Sequence, residues 1–392
     1  MTESHLDAEG AAQALGVSRA TLYAYVSRGR IGTDPAPGDP RRRLYRRADI
    51  DALLQKKAQG RRPGQAAEAA LDWGLPVLAS GLSQIEGGRL LYRGRDAADL
   101  AQEASLEEAA RLLWGCGASD PFVAPPPAPW KKAQMKAARR LPLTEGCQLL
   151  LPSLPEGRRA AWQRSPAYLW PGGAALMRAM AAAVSGTQPS DLPLHRHLAQ
   201  AWGAEDGAEL IRRALVLLAD HELNASAFAV RVVASTGASL GACLQAGLSA
   251  LSGPLHGGAT SLVERLLDEV QALGAEPALE ARLRRGEGVP GFGHKLYPQG
   301  DARAAALLPL LPPDAGRDRL IALMAEGSGR APTIDVALVA LRRALDLPPG
   351  AALALFAVGR SAGWVAHALE QGGEDRLIRP RARYSGPGAE TG

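Results

Sequence analysis

Four segments of this chain set ionisable side chains beside glycine, a pairing that a helix built only for packing avoids. They are Asp220-His221-Glu222-Leu223-Asn224-Ala225-Ser226, Gly253-Pro254-Leu255-His256-Gly257-Gly258-Ala259, Gly291-Phe292-Gly293-His294-Lys295-Leu296-Tyr297 with Asp301-Ala302-Arg303, and Pro332-Thr333-Ile334-Asp335. Two later stretches, Phe356-Ala357-Val358-Gly359-Arg360 and Ile378-Arg379-Pro380-Arg381, put arginines next to glycine or proline. Taken only as side chains, three histidines and a carboxylate provide a base, proton donors and hydrogen-bond polarisers. Three arginines on turns provide planar forks for carboxylates, which points to a substrate carrying two or more of them. Glycines around His256 and His294 let a ligand or another backbone come close. No Ser or Cys sits in a recognisable nucleophile elbow. The three cysteines, Cys116, Cys147 and Cys243, lie far apart and form no metal-ligand spacing with the histidines. Carbon-acid chemistry on a polycarboxylate fits this set.

The elements that must hold these residues are helices. Leu106, Ala109, Ala110 and Leu113 share one helical face, Leu210, Ala214, Leu217 and Leu218 a second, and Leu240, Cys243, Leu244, Gly247 and Leu248 a third. Ser105-Leu106-Glu107-Glu108 has the pattern of a capping box. Strand-like alternation is nearly absent apart from a hairpin-like turn at Gly87–Arg93, and Pro125–Pro129 reads as a loop. The Ala-rich run at 174–184, interrupted by Arg178, is core packing and too short to span a bilayer. His195, His197 and His367 are read as structural. Hydrophobic residues make up 46% of the 392 and charged residues 22%, which excludes a mostly disordered chain. The 44 glycines and 29 prolines follow no triplet period, which excludes collagen. The first ten residues have no signal-peptide design, so the expectation is a soluble, cytoplasmic protein without membrane contact.

Charge divides the chain in two. Residues 1–63 carry twelve Arg or Lys against seven Asp or Glu, a net of +5 that equals the net charge of the whole chain. The remainder is therefore balanced. Ala11–Val26 reads as helix, turn, helix, with Gly16 ending the first, Ser18 capping the second, and Leu15, Val17, Leu22 and Val26 as the apolar seam. A third helix starts near Asp49, and Arg61-Arg62-Pro63-Gly64 looks like a linker. Residues 6–56 resemble the winged helix-turn-helix head of the MerR and excisionase group. That resemblance implies duplex DNA as partner, with Arg19 and Thr21 facing base edges and Arg41, Arg42 and Arg43 neutralising phosphates on the wing.

From about residue 74 to 388 the motifs resemble the citrate synthase family. The opening Gly81-Leu82-Ser83-Gln84-Ile85-Glu86-Gly87-Gly88 with Leu91-Tyr92-Arg93-Gly94-Arg95, then GPLHGGA, GFGHKLY, FAVGRSAGW and RPRARYSG, stand in the family's order. The resemblance implies a mainly α fold, with all-helical large and small domains behind the small winged head. The corresponding bounds are residues 1–60 for the head, 61–73 for a linker, 74–257 with 346–392 for the large domain, and 258–345 for the small one. It implies an acyltransferase of the tricarboxylic acid cycle that condenses acetyl-CoA with oxaloacetate and water, with no further cofactor and no metal. Asp335 would be the base, His256 the donor to the thioester oxygen, and His294 the group that polarises and protonates the ketone. His221, His294, Arg303, Arg360 and Arg379 would hold oxaloacetate, with Arg379 entering from the second subunit of a homodimer, and Val289, Gly291, Gly293 and Lys295 would bind CoA. Departures from the family pattern are Thr333 in place of an Asn, Val336-Ala337-Leu338 in place of aromatic residues, Ala302 in place of a Pro, and Pro298 in place of a basic residue. The same residues leave open 2-methylcitrate synthesis from propionyl-CoA, and a DNA-binding regulator whose body senses CoA esters or oxaloacetate.

Overall fold

A computed structural model of the chain describes residues 5–15, 17–27, 30–36, 39–51, 53–54, 78–154, 165–374, 376–382 and 386. Gly16, the Arg61–Gly64 linker and the domain bounds drawn at 60 and 73 lie outside the described residues. Two compact units emerge: residues 1–79 together with 381–392, and residues 80–380.

In the first unit, α1 (Ala8–Leu15) and α2 (Arg19–Ser27) form the expected helix pair. Ser18 caps α2, its Oγ accepting the Thr21 N–H at 3.3 Å. Three short antiparallel strands, β1 (His5–Leu6), β2 (Thr33–Ala36) and β3 (Asp39–Arg46), pair in the order β1-β3-β2. The arginine run thus lies on a β2–β3 hairpin, the place of a wing. Leu15, Leu22, Ile31, Tyr45 and Ile50 bury together with Ala11 and Ala12, and Val17 and Val26 pack on their edge. Ile50 comes from helical residues 47–51.

The second unit opens with a hairpin, β4 (Ser83–Glu86) and β5 (Arg89–Tyr92), extended by β6 (Arg95–Asp96). It continues as helices α3 (Ala97–Glu103), α4 (Leu106–Trp114), α5 (Lys132–Ala138), α6 (Leu143–Leu150), α7 (Pro166–Ser185), α8 (Leu194–Trp202), α9 (Ala208–Leu217), α10 (Ala225–Ala234) and α11 (Leu240–Leu251). After these come α12 (Ala259–Leu273), α13 (Ala275–Arg284), α14 (Ala302–Leu307), α15 (Ala315–Ser328), α16 (Ile334–Ala344) and α17 (Ala351–Gly372). The Ser105 capping box is formed in full: Ser105 Oγ accepts the Glu108 N–H and the Glu108 carboxylate accepts the Ser105 N–H.

Helix α17 is the axis of this unit and packs against α4, α7, α9, α10, α11 and α16. It is long and apolar enough to cross a membrane by length and composition, yet 94% of its most apolar window is buried inside the fold. Its small residues allow close approach. A Cβ on Gly363 would lie 2.4 Å from Asp220 Oδ1 and 2.5 Å from the Ala219 carbonyl oxygen, so only glycine lets the end of α9 settle on this helix. There the Gly363 N–H donates to Ala219 O at 2.8 Å and Arg360 Nε donates to Leu218 O at 2.8 Å. The carbonyls of Leu218 and Ala219, just past the end of α9, are thereby satisfied by α17. Helices α12, α13, α15 and α16 pack among themselves, α14 joins α16, and the apolar core runs unbroken into the rest of the unit.

Candidate active site

The turn between α9 and α10 presents His221, and nearly every polar group in it is pinned. Asn224 caps α10, accepting from the Ser226 and Ala227 N–H groups at 3.1 and 3.2 Å while its amide donates to His221 O at 3.1 Å. Glu222 adopts a left-handed backbone, φ 50°, and both of its ends are held by β4. Its N–H donates to Ser83 Oγ at 2.9 Å, and its carboxylate accepts the Ile85 N–H at 2.6 Å. The Tyr92 hydroxyl donates to Val216 and Leu217 carbonyls from below. His221 is buried with Nε2 at 3.0 Å from the Tyr297 hydroxyl. Burial, then the charges of Arg303 and Arg360, hold its pKa well below the ordinary histidine value, so the ring is neutral.

His256 lies in the tight turn between α11 and α12, its Nε2 at 2.8 Å from Ser226 Oγ. The Ser226 hydroxyl donates to Asn224 Oδ1 at 2.7 Å, and its oxygen accepts the Trp364 indole N–H at 3.1 Å. Burial first, then Arg360 and Arg303, push the His256 pKa down to about 3. It too is a neutral imidazole.

His294 and Asp335 are held by one clamp. The loop through Gly291 runs antiparallel to the segment entering α16, with Thr333 N–H to Gly291 O at 2.8 Å and Gly293 N–H to Ala331 O at 2.9 Å. Gly291 has φ +83°, and a Cβ there would come within 2.6 Å of Val336 and 2.8 Å of Val263. His294 Nδ1 accepts the Leu296 N–H at 3.2 Å, which puts the neutral ring's proton on Nε2. The His294 ring centroid is 5.3 Å from that of His221 and 5.1 Å from that of Tyr297. Burial and Arg303 lower its pKa, against the opposing charge of Asp301. Asp335, in the first turn of α16, accepts the Thr333 hydroxyl on Oδ2 at 3.0 Å, while Oδ1 is sealed from solvent without a hydrogen-bond partner. Burial pushes its pKa up to about 6, against the lowering effects of Thr333 and Arg303.

The two buried arginines of this cluster differ. Arg303 is gripped by Asp301 through Nε at 2.9 Å and Nη2 at 2.8 Å, and Asp301 also accepts the Ile334 N–H, tying α14 to the start of α16. Its guanidinium lies 5.7 Å from the centre of the Tyr297 ring. Arg360 donates only from Nε, and Nη1 and Nη2 are sealed from solvent with no hydrogen-bond partner. Burial drives its pKa down to about 10 despite Asp220 nearby. The charge of Arg303 acts on His221, His256, His294 and Asp335 alike, so these groups share one electrostatic environment. Arg379 is exposed on the segment after α17. Val289 is half-buried against the core, whereas Gly293 and Lys295 are exposed on the clamp loop.

Residues 70–381 match the model of the citrate synthase C-terminal domain. The chain belongs to the citrate synthase family. Residues 6–58 match a helix-turn-helix domain model. Similar curated proteins include citrate synthase 2 of Bacillus subtilis, 38% identical over 190 residues, covering 46% of this chain and 51% of that protein. Citrate synthase of Haloferax volcanii is 40% identical over 191 residues, covering 46% and 50%. The 2-methylcitrate synthase of Shewanella oneidensis is 35% identical over 183 residues, covering 44% and 49%. The chain thus spans about half the length of the curated relatives it matches. Among solved structures, citrate synthase of Thermotoga maritima superposes with a TM-score of 0.60 at 26% identity, covering 80% of this chain and 94% of its own. A ternary complex of citrate synthase from Thermoplasma acidophilum with carboxymethyl coenzyme A and oxaloacetate shares the fold, with a TM-score of 0.64 at 22% identity and coverage of 81% and 96%. The mainly α fold and the helix-turn-helix head expected from the sequence agree with these matches.

Several residues of the cluster escaped the sequence reading. Tyr297, Ser226, Asp301 and Asp220 all stand inside the quoted motifs, but without the tertiary contacts nothing distinguished them from their neighbours. His197 is structural in the plain sense, bonded to Thr187 and Ser190 hydroxyls at 2.8 and 2.7 Å. His367 is fully buried beside Asp220.

Proposed function

We propose that this citrate synthase family member condenses acetyl-CoA with oxaloacetate and hydrolyses the resulting thioester to citrate and CoA. The observation that carries the reading is Asp335: a carboxylate with one oxygen orphaned, its pKa pushed up to about 6, in the same field as three histidines and two arginines. A thioester α-proton is far less acidic than any carboxylic acid, so a base succeeds only if the enolate oxygen meets donors already in place. In this reading Asp335 Oδ1 removes the methyl proton of the acyl group. His256 donates to the thioester oxygen as negative charge gathers there. Its neutrality suits that role, because the ring gives a hydrogen bond without holding a full charge in the apolar site. Ser226 donates its single proton to Asn224 Oδ1, so in the unliganded site its oxygen accepts from His256 Nε2–H. The neutral ring then carries its proton on Nε2, and in this reading that N–H turns from Ser226 to the thioester oxygen when substrate enters. His294 Nε2–H donates to the oxaloacetate ketone and protonates it as the carbon–carbon bond forms, and water then cleaves the thioester.

Arg360, with two unpartnered guanidinium nitrogens, takes one substrate carboxylate, and Arg303 with His221 takes the other. Val289, Gly291, Gly293 and Lys295 contact CoA, and residues 258–345 act as a small domain closing over residues 74–257 and 346–392, behind a head at 1–60 and a linker at 61–73. The same reading carries a cytoplasmic homodimer in which Arg379 of the partner subunit completes each oxaloacetate site. A sensor of the same ligands would need the arginines but no orphaned base. The head binds duplex DNA through Arg19 and Thr21 at the start of α2 and through Arg41, Arg42 and Arg43 on β3. The test is CoA release with oxaloacetate and either acetyl-CoA or propionyl-CoA, wild type beside Asp335→Ala. Release with acetyl-CoA that depends on Asp335 supports the reading, and preferential use of propionyl-CoA reassigns it to 2-methylcitrate synthesis. No release above the variant with either ester removes it.

A further inference from the structure

Arg303 and Arg360 pose a contrast: each has a carboxylate in its neighbourhood, yet only Arg303 is paired with it. Asp220 is fully buried and its charge is felt by Arg360, but it makes no hydrogen bond to that guanidinium. The position of Asp220 against α17 explains why. Its Oδ1 lies over Gly363, and Arg360, Gly363 and His367, spaced three and four residues apart, fall on one face of the helix. Asp220 therefore stands between Arg360 on one side and His367 on the other, with His367 Nε2 3.2 Å from Oδ1, an ion-pair distance without hydrogen-bond alignment, and both residues fully buried. Its second oxygen accepts the Ser83 hydroxyl at 2.5 Å. Ser83 is fixed in turn, since its oxygen accepts the Glu222 N–H.

We propose that Ser83 and His367 are positioning residues that hold the Asp220 carboxylate off Arg360, so that Nη1 and Nη2 stay open for a carboxylate of the substrate. Asp220 then balances the buried guanidinium at a distance without occupying its fork, as Asp301 occupies that of Arg303. Release of either restraint lets Asp220 turn to the stronger, bidentate partner and close the fork. The identity of the incoming carboxylate rests on the function proposed above, whereas the restraint of Asp220 does not.

The experiment separates the two. Oxaloacetate binding is measured by calorimetry, CoA release is measured alongside it, and the unliganded His367→Leu variant is crystallised. Ser83→Ala and His367→Leu should weaken oxaloacetate binding about tenfold or more, the loss of one charge-assisted hydrogen-bonding fork, and raise its KM with kcat little changed. His367→Gln, whose amide nitrogen can replace Nε2, should restore affinity. The double variant Asp220→Asn/His367→Leu should also recover affinity, because no carboxylate remains to close the fork, a reversal that a merely structural defect would not show. The crystal should show Asp220 on Arg360 Nη1 and Nη2. Wild-type affinity in both single variants, a double variant as weak as His367→Leu, or an unmoved Asp220 overturns the proposal. If His367→Leu does not fold, binding and the crystal structure of Ser83→Ala decide it. Wild type that binds oxaloacetate but releases no CoA defeats the catalytic reading and leaves this one to the variants and the crystal.

Discussion

Replacing Asp335 with Asn should abolish turnover and make the protein more stable, and the size of the gain follows from the burial that makes Asp335 a base. The folded-state pKa is raised from 3.8 to about 6. Between these values the unfolded chain releases the Asp335 proton while the folded chain keeps it, so the unfolded state binds fewer protons and stability falls as pH rises. Above about pH 6 the penalty is constant. A rise of about two units at 1.36 kcal/mol each sets a ceiling of about 3 kcal/mol on the cost of ionising Asp335 in place. The residue keeps partial solvent exposure, and the Asn amide would put N–H groups where Oδ1 now lacks a partner, so a net gain of about 1–2 kcal/mol is expected for Asp335→Asn at pH 7.5. Urea melts of wild type and variant from pH 4 to 7.5 read it directly. The gap should be near zero at pH 4, open towards pH 6 and stay flat above. Equal stability at pH 7.5, or a gap unchanged across the range, would refute the argument that burial raises this carboxyl.

Three other outcomes are expected. Thr333→Val keeps volume and the backbone bond to Gly291 O but removes the hydroxyl on Asp335 Oδ2, so the acid limb of the kcat profile should move up by about one pH unit; an unmoved limb shows that Thr333 does not tune the base. Gly291→Ala meets a left-handed φ and two valine methyls under 3 Å, and should cost about 2 kcal/mol or more in urea melts while weakening the His294 clamp; a Tm within a degree of wild type contradicts the packing. Replacing Arg41, Arg42 and Arg43 together by Gln should weaken salt-sensitive duplex binding across all sequences, seen as a smaller slope of log K against log salt in fluorescence titrations. An unchanged slope takes these arginines out of the phosphate contacts.

Much of the site could be read before any contact was known. His256, His294 and Arg303 announce themselves because the backbone must turn sharply where they stand, and glycine, proline or an Asp cap beside an ionisable residue is a local signal. The helical faces around Leu113, Leu217 and Leu244 were equally local, since a period of 3.6 is visible in any ten residues. The head's strands were not, because Tyr45 is the only buried residue among the described side chains of β3 and its arginines show no alternation.

What the amino-acid order alone determined, then, is which residue types stand at which turns and which helix faces are apolar. Tertiary structure decided what those residues are chemically. The Ser83–Asp220 bond joins residues 137 apart, the Arg360–Leu218 bond residues 142 apart, and the Asp301–Ile334 bond residues 33 apart. Whether Asp335 is an ordinary acid or a base near pH 6, and whether Arg360 is paired or open, depends on how much water and which charges surround it. Those are sums over neighbours brought together by folding, and no stretch of sequence contains them.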